Sequence, residues 1–391
     1  MLISKRNNIY LVYILSFSII LFILTGCANP GGSNEEITLE GEQLVEQWRF
    51  DSSGAINQAP LRAADVVVFV PNGGKLTAVD AATGQLRWEF GKPAEVWERA
   101  YATNGESVFA GLEGGKFAAI DLRSGKVRWE VDLGINVQVA PLVAGEVLYI
   151  PTTFVGPKLE SDPEGKAKLF VLSIRDGKEL WSFETDNYIL QTPTYFNDVV
   201  YVGGSYYAPE IEVDEGGPMR IYALDAESGM PTWVYEEEHG FIKKMYATES
   251  SLAYIAYQDY IFGVDVQTGE MNWRRDTGNW VPSLMGTEDT LYFGSANTIV
   301  YALDANSGEV RWQQNIPEGT FNYLMGAPVR VQNDLYFLTQ HGDIMALNAL
   351  NGEILWHIPT GVTPREGLTV SGGWLYFGDI DGTVYGYSTE K

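Results

Sequence analysis

Seven stretches of this 391-residue chain are written in one frame: a polar residue, a Gly four positions later, and a Trp four positions after that. The polar residues are Asp80, Asp121, Ser173, Asp225, Asp265, Asp304 and Asn348, and the frames end at Trp88, Trp129, Trp181, Trp233, Trp273, Trp312 and Trp356. Recurrence at fixed internal spacing marks one supersecondary unit copied along the chain. Each frame reads as strand, turn and strand. The residues before the polar position alternate as a half-buried strand does, as in Phe117-Ala118-Ala119-Ile120. An Asp, Asn or Ser side chain can bond the backbone two residues on and start a turn. Gly takes the positive-φ corner, and Trp opens the next strand with a large apolar body and one N–H that needs an acceptor. These polar residues are therefore expected to form turns and not to act as ligands. The Trp is expected to stack on the recurrent Gly and seal one unit against its neighbour.

Upstream of each frame runs a second recurrent strand, at Val66–Val70, Val108–Gly111, Val147–Ile150, Val199–Val202, Leu252–Ala256, Leu291–Gly294, Leu335–Leu338 and Leu375–Gly378. That makes eight units for seven frames. The last unit stops before reaching its Trp, while Glu42–Phe50 carries Trp48 with no unit before it. A ring of eight four-stranded blades over 42–391, closed by the N-terminal strand joining the last blade, accounts for both leftovers. Closure also removes the exposed edges that an open array leaves. The expected fold is thus all-β, an eight-bladed β-propeller with tryptophan-docking repeats.

Before the ring, Lys5 and Arg6 precede an uncharged stretch, Ile9 to Leu24, that is short for a membrane span and suits a secretory signal. It ends in Leu24-Thr25-Gly26-Cys27, which resembles the bacterial lipobox, and Cys27 is the only cysteine. The expectation is a signal peptide over 1–26, an acylated Cys27 as lipid anchor in the bilayer, and a Gly/Ser/Asn/Glu-rich tether over 27–41. With Cys27 acylated, no thiol is left for a disulfide or for catalysis.

The docking frame resembles that of quinoprotein-like, pyrroloquinoline-quinone-type (PQQ-type) eight-bladed β-propellers. A lipobox, a short tether and such a propeller together resemble the lipoprotein subunit of the outer-membrane β-barrel assembly machinery. The first resemblance implies a quinone on the axis beside a Ca²⁺ held by Glu, Asn and Asp side chains, with a disulfide between adjacent cysteines. This chain has no cysteine pair, and no Glu/Asn/Asp set in it matches that site. The expectation is no cofactor and no metal, with a PQQ- and Ca-dependent dehydrogenase as the alternative. The second resemblance implies envelope protein partners.

Other chemistry is sparse. The formal charge of −25 argues against nucleic acid and against docking on anionic lipid through the folded surface. His239, His341 and His357 have no metal-ligand spacing, and no G-x-S-x-G, H-E-x-x-H or phosphate loop occurs. Two features stand out. Successive Trp spacings of 40, 41, 52, 52, 40, 39 and 44 place long insertions at Thr152–Ala167 and Gly203–Pro218. Both fall between the second and third strands of consecutive blades, hence side by side on one face, with Phe154, Tyr206 and Tyr207 as candidate anchors. On that same face, the segments leading into the innermost strands should ring the axis. They bring Trp97, Arg99, Gln138, Gln191, Lys243, Lys244, Trp280 and Arg365, with Asn57, Gln58, Glu98 and Tyr323, to an axial mouth. Such a mouth suits an anionic ring, a glycan or an acidic peptide; charge pairing among Glu98, Glu366 and these cations, with Trp as packing, is the alternative. The function expected is a monomeric, lipid-anchored, extracytoplasmic scaffold for envelope proteins, in outer-membrane protein assembly. Its anchor would sit in the outer membrane, or on the outer face of the cytoplasmic membrane in a single-membrane cell.

Overall fold

In the computed structural model, the residues described are 44–152, 166–186, 188–206, 218–238, 240, 242–256, 259–316 and 324–388. Cys27, the signal and tether, Phe154, Tyr207, Tyr323 and His239 lie outside them, as do most of the two long insertions.

The strands gather into eight separate antiparallel sheets, each one blade. Blade 1 runs from its innermost strand outward as Leu61–Ala63, Val66–Phe69, Leu76–Asp80 and Leu86–Phe90. Blades 2 to 7 repeat that order along the chain, their innermost strands beginning at Val96, Leu142, Tyr188, Met245, Leu284 and Leu324. Blade 4 carries one strand more, because Tyr188–Leu190 and Thr194–Phe196 both pair with Val199–Tyr206. Blade 8 is made from the two chain ends. Val45–Asp51 pairs with Thr383–Ser388, with Val45 opposite Ser388 and Asp51 opposite Thr383, beyond Thr369–Ser371 and Trp374–Gly378. The ring is therefore closed as its leftover strands require.

Middle strands bury both sides, as strands packed between two neighbouring blades must. Val66–Phe69 and Ser107–Leu112 are buried throughout, and the outermost strands alternate. The core is a set of seams between blades. One cluster joins Val68 and Ala78 of blade 1 to Tyr101 and Ile120 of blade 2; another joins Trp48 and Tyr376 of blade 8 to Val67 and Phe69 of blade 1.

The frame repeats explain the seams. At each Gly of the frame φ lies between 67° and 76°, a region that a Cβ makes costly. The Trp that covers it comes from the preceding blade and not from the Gly's own frame: Trp48 faces Gly84, Trp88 faces Gly125, and so on to Trp312 on Gly352. A Cβ on any of these glycines would fall closer than 3.0 Å to the indole. Each indole N–H then reaches the carbonyl just after the polar residue of the next frame, from Trp48 to Ala81 at 3.0 Å through Trp312 to Ala349 at 2.9 Å. Trp273 breaks the series, since its buried N–H has no partner. Trp356 tilts against Tyr336 of its own blade with ring centroids 5.8 Å apart, as Trp48 does against Tyr376 and Trp312 against Tyr292.

The polar residues act as turn formers. Asp80 Oδ1 accepts from the backbone N–H of Ala82 and Thr83 at 3.0 and 2.9 Å. Asp265 accepts likewise from Gln267 and Thr268, and those backbone bonds hold its pKa below the usual value. Where Arg precedes the Trp, it clamps the second carboxylate oxygen, as in Arg128–Asp121 at 2.7 Å and Arg311–Asp304 at 2.7 Å.

Candidate functional site

Alternate turns of every blade lie on opposite faces of the ring. The frame turns and the innermost hairpins occupy one face. The turns between second and third strands, and the segments leading into the innermost strands, occupy the other. The axial-mouth residues of the described set are thus on the face that carries the two long insertions. Val45 starts its strand on the opposite face, level with Ser388.

Two groupings form at the mouth. On the side of blades 8, 1 and 2, Asn57 donates to Glu98 Oε2 at 2.7 Å, and Arg99 pairs with Glu366 at 3.4 Å. The second contact spans from blade 2 to blade 8, past blade 1. Burial pushes the Glu366 carboxyl above its usual value, and the Arg99 and Arg365 guanidiniums oppose that rise. Glu98 is thus engaged by an amide, while Glu366 supplies the ion pair. On the far side, Lys243 and Trp280 meet: the Lys243 Nζ lies 4.3 Å from the indole centroid. Burial pushes the Lys243 ammonium down to about 8.

The remaining candidates divide. Gln138, Gln191 and Lys244 are half-buried along the mouth wall, and Arg365 is exposed. Tyr206 ends the second strand of blade 4. Trp97 follows the packing alternative. It sits where pairing of Val96–Thr103 shifts register between Val96 and Tyr101, and such a bulge re-aims the side chain within it. Its ring packs against the cluster of Ala100, Phe109 and Val137 in the seam of blades 2 and 3, with its N–H buried and unpartnered. A feature absent from the sequence reading is a surface groove of about 460 Å³ at the seam of blades 8 and 1, lined by Phe50, Ser53, Pro71 and Pro93 and by the Lys75–Glu89 pair. Its walls come from separate stretches that only ring closure brings together, so no local signal marks it.

Of the described histidines, His357 faces Asp343 at 3.4 Å and His341 lies in a hairpin turn, and they assemble no centre. Among the described residues, no group of three His, Cys, Asp or Glu is arranged to hold a metal ion.

These features define a class, the closed eight-bladed propellers whose blades are sealed by tryptophan docking. Within it, residues 28–141 and 171–391 match the family model described as outer membrane protein assembly factor BamB, and the chain belongs to that family. A relative of that name from Nitrosomonas eutropha is 24% identical over 294 residues, covering 66% of this chain and 67% of the relative. Among solved structures, BamB from Moraxella catarrhalis superposes with a TM-score of 0.63 at 19% identity, covering 88% of this chain and 99% of that one. The quinohemoprotein alcohol dehydrogenase from Comamonas testosteroni gives 0.65 at 13% identity, covering 90% and 77%. That likeness is one of fold. Among the described residues no group of three His, Cys, Asp or Glu is placed to hold the calcium implied for a quinone, and Glu98 and Glu366 carry protein partners, Asn57 and Arg99.

Proposed function

We propose that this protein is a lipid-anchored, extracytoplasmic, non-catalytic scaffold for outer-membrane protein assembly, monomeric by itself, which receives an envelope protein partner on its mouth face. The observation that carries the reading is membership of the assembly-factor family over both halves of the ring. The topology supports the geometry of the proposal. The strand that follows the tether begins on the frame-turn face. An anchor at Cys27 would therefore join the ring through its flexible tether at that face, with the mouth and both insertions on the other. A rigid ring with loops and a polar mouth on one side suits partner binding, since affinity concentrates in a few anchors over a fixed scaffold. Phe154, Tyr206 and Tyr207 on the insertions, and Arg99, Lys243, Lys244 and Arg365 at the mouth, are the residues proposed to meet the partner.

The test is replacement of the gene by versions carrying Cys27→Ser or hairpin-length substitutes for Thr152–Ala167 and Gly203–Pro218. Both are expected to lower the amount of β-barrel protein in isolated outer membranes, while purified ectodomains keep their melting temperature. Unchanged β-barrel content in the loop-shortened strain would overturn the reading.

A further inference from the structure

We propose that the Lys243–Trp280 pair is a seat for a single carboxylate, entering the axial mouth from the face that carries the long insertions. Lys243 precedes the innermost strand of blade 5, Met245–Ala247, and Trp280 precedes that of blade 6, Leu284–Thr287. The pair therefore bridges two blades at the axis. Both lead-ins are fixed by backbone bonds: Lys243 N–H donates to Ile255 at 3.2 Å, and the Trp280 carbonyl accepts from Ala296 at 2.8 Å. Ile242, next in chain, is buried, and its N–H donates to Ser205 Oγ of blade 4 at 3.1 Å. The backbone that carries both side chains is thus fixed.

What the ammonium lacks, among the described residues, is an anion. Among the described residues the Lys243 ammonium has no carboxylate partner and no hydrogen-bond acceptor; its contact is the indole face. A half-buried cation without a counter-charge is costly in a folded chain. It is the more notable in a protein of net charge −25, where carboxylates are plentiful. The other mouth cation with a resolved contact, Arg99, does have its carboxylate. The aromatic face stabilises the cation electrostatically without spending its N–H donors, so those donors stay available to an incoming oxygen. One ammonium beside one ring matches a monoanionic carboxylate, which can accept one or two of its hydrogens while its carbon chain lies along the indole.

The seat rests on the scaffold reading only in facing a partner; its chemistry stands on the geometry alone. A carboxylate of this kind could be the C-terminus of a polypeptide or a free small acid, and the test separates the two. The full ectodomain is labelled with 5-fluorotryptophan, and the Trp280 signal among the eleven is assigned with Trp280→Phe. It is then titrated with an alanine-rich hexapeptide bearing a free C-terminus, the same peptide amidated, and succinate. The acid peptide is expected to shift the Trp280 signal with at least tenfold lower Kd than its amide. Lys243→Gln should bring the acid to the amide's level and leave the other fluorotryptophan signals in place. Succinate binding as tightly as the peptide acid identifies a small-acid seat; tighter binding of the peptide identifies a chain terminus. Equal affinity for acid and amide, or an acid affinity unmoved by Lys243→Gln, overturns the proposal. A failed scaffold reading would show in outer-membrane β-barrel content and leave this titration as it is.

Discussion

The Trp48 indole donates to the Ala81 carbonyl at 3.0 Å, although the two residues belong to the last and first blades of the ring. Trp48 comes from the N-terminal strand that completes blade 8, and it covers Gly84 of blade 1 while Gly386 lies beneath it. One side chain thereby fastens the closing strand to both blades that it joins. Trp48→Ala removes a large buried aromatic and is expected to cost about 3–5 kcal/mol. Because it also loosens the strand Val45–Asp51, the bared edge of Thr383–Ser388 should promote self-association. Urea denaturation and sedimentation of the variant check this; a monomer with an unmoved midpoint would remove Trp48 from the closure.

The indole N–H contributes differently at different seams. Trp312 donates to Ala349 at 2.9 Å, whereas the Trp273 N–H is buried without an acceptor. Replacing each by Phe keeps most of the ring and removes the N–H. At Trp312 this forfeits a hydrogen bond, expected to add about 1 kcal/mol to the cost, while the Ala349 carbonyl keeps its second donor, the Tyr292 hydroxyl at 3.3 Å. At Trp273 it removes an unpaired donor, so Trp273→Phe should be the milder change. The two denaturation midpoints compared directly decide the matter.

The turn carboxylates should matter less than the rings they support. Asp304 Oδ1 accepts from the backbone of Asn306 and Ser307, both at 3.0 Å, and Arg311 takes its other oxygen. Asp304→Ala is expected to cost about 1 kcal/mol, well below Trp312→Ala, for which about 3–5 kcal/mol is expected. A larger loss for the Asp variant would assign the seam's strength to the turn.

Much of this architecture was readable because the frame is local. Asp, Gly and Trp stand four residues apart, and a turn needs nothing from elsewhere in the chain. Blade number followed from the lone Trp48 and the Trp-less last unit. What stayed hidden is what crosses between units. Seven of the eight docking Trp, from Trp48 to Trp312, seal the Gly of the following blade, an offset of one unit that sequence spacing cannot display. Repeat position brings Trp97 to the mouth, but it lies where the register shifts between Val96 and Tyr101, and its ring packs in a seam. Lys243 and Trp280 were placed on one face by their repeat position. Their 4.3 Å approach depends on how blades 5 and 6 abut.

The mouth residues also bear on cofactors. With Glu98 and Glu366 already engaged, adding PQQ with Ca²⁺ to the purified protein is expected to leave its melting temperature unchanged, since a ligand bound only by the native state must raise it. An upward shift that disappears in Trp280→Phe or Arg99→Gln would return the dehydrogenase alternative.

Lys243 gives the sharpest dependence on pH. Burial holds its folded-state pKa at about 8, against 10.5 for an ordinary lysine. The folded state therefore favours the neutral amine, and between these two values the unfolded chain binds more protons. Stability from this residue must then rise with pH across that window, with the full penalty present below about pH 8 and none above 10.5. Lys243→Met keeps the length of the side chain and removes the charge. It is expected to raise stability at pH 7 by about 1 kcal/mol, because solvent reaching the half-exposed ammonium screens most of the linkage effect. The advantage over the parent protein should shrink as pH rises from 8 toward 10.5. Other titrating groups are common to both proteins and cancel in the difference. Urea midpoints at pH 7, 9 and 10 measure it. A Met variant less stable than its parent at pH 7 would mean that the ammonium on the Trp280 face holds the mouth together, and that Lys243 is a structural cation instead of one kept for an incoming anion.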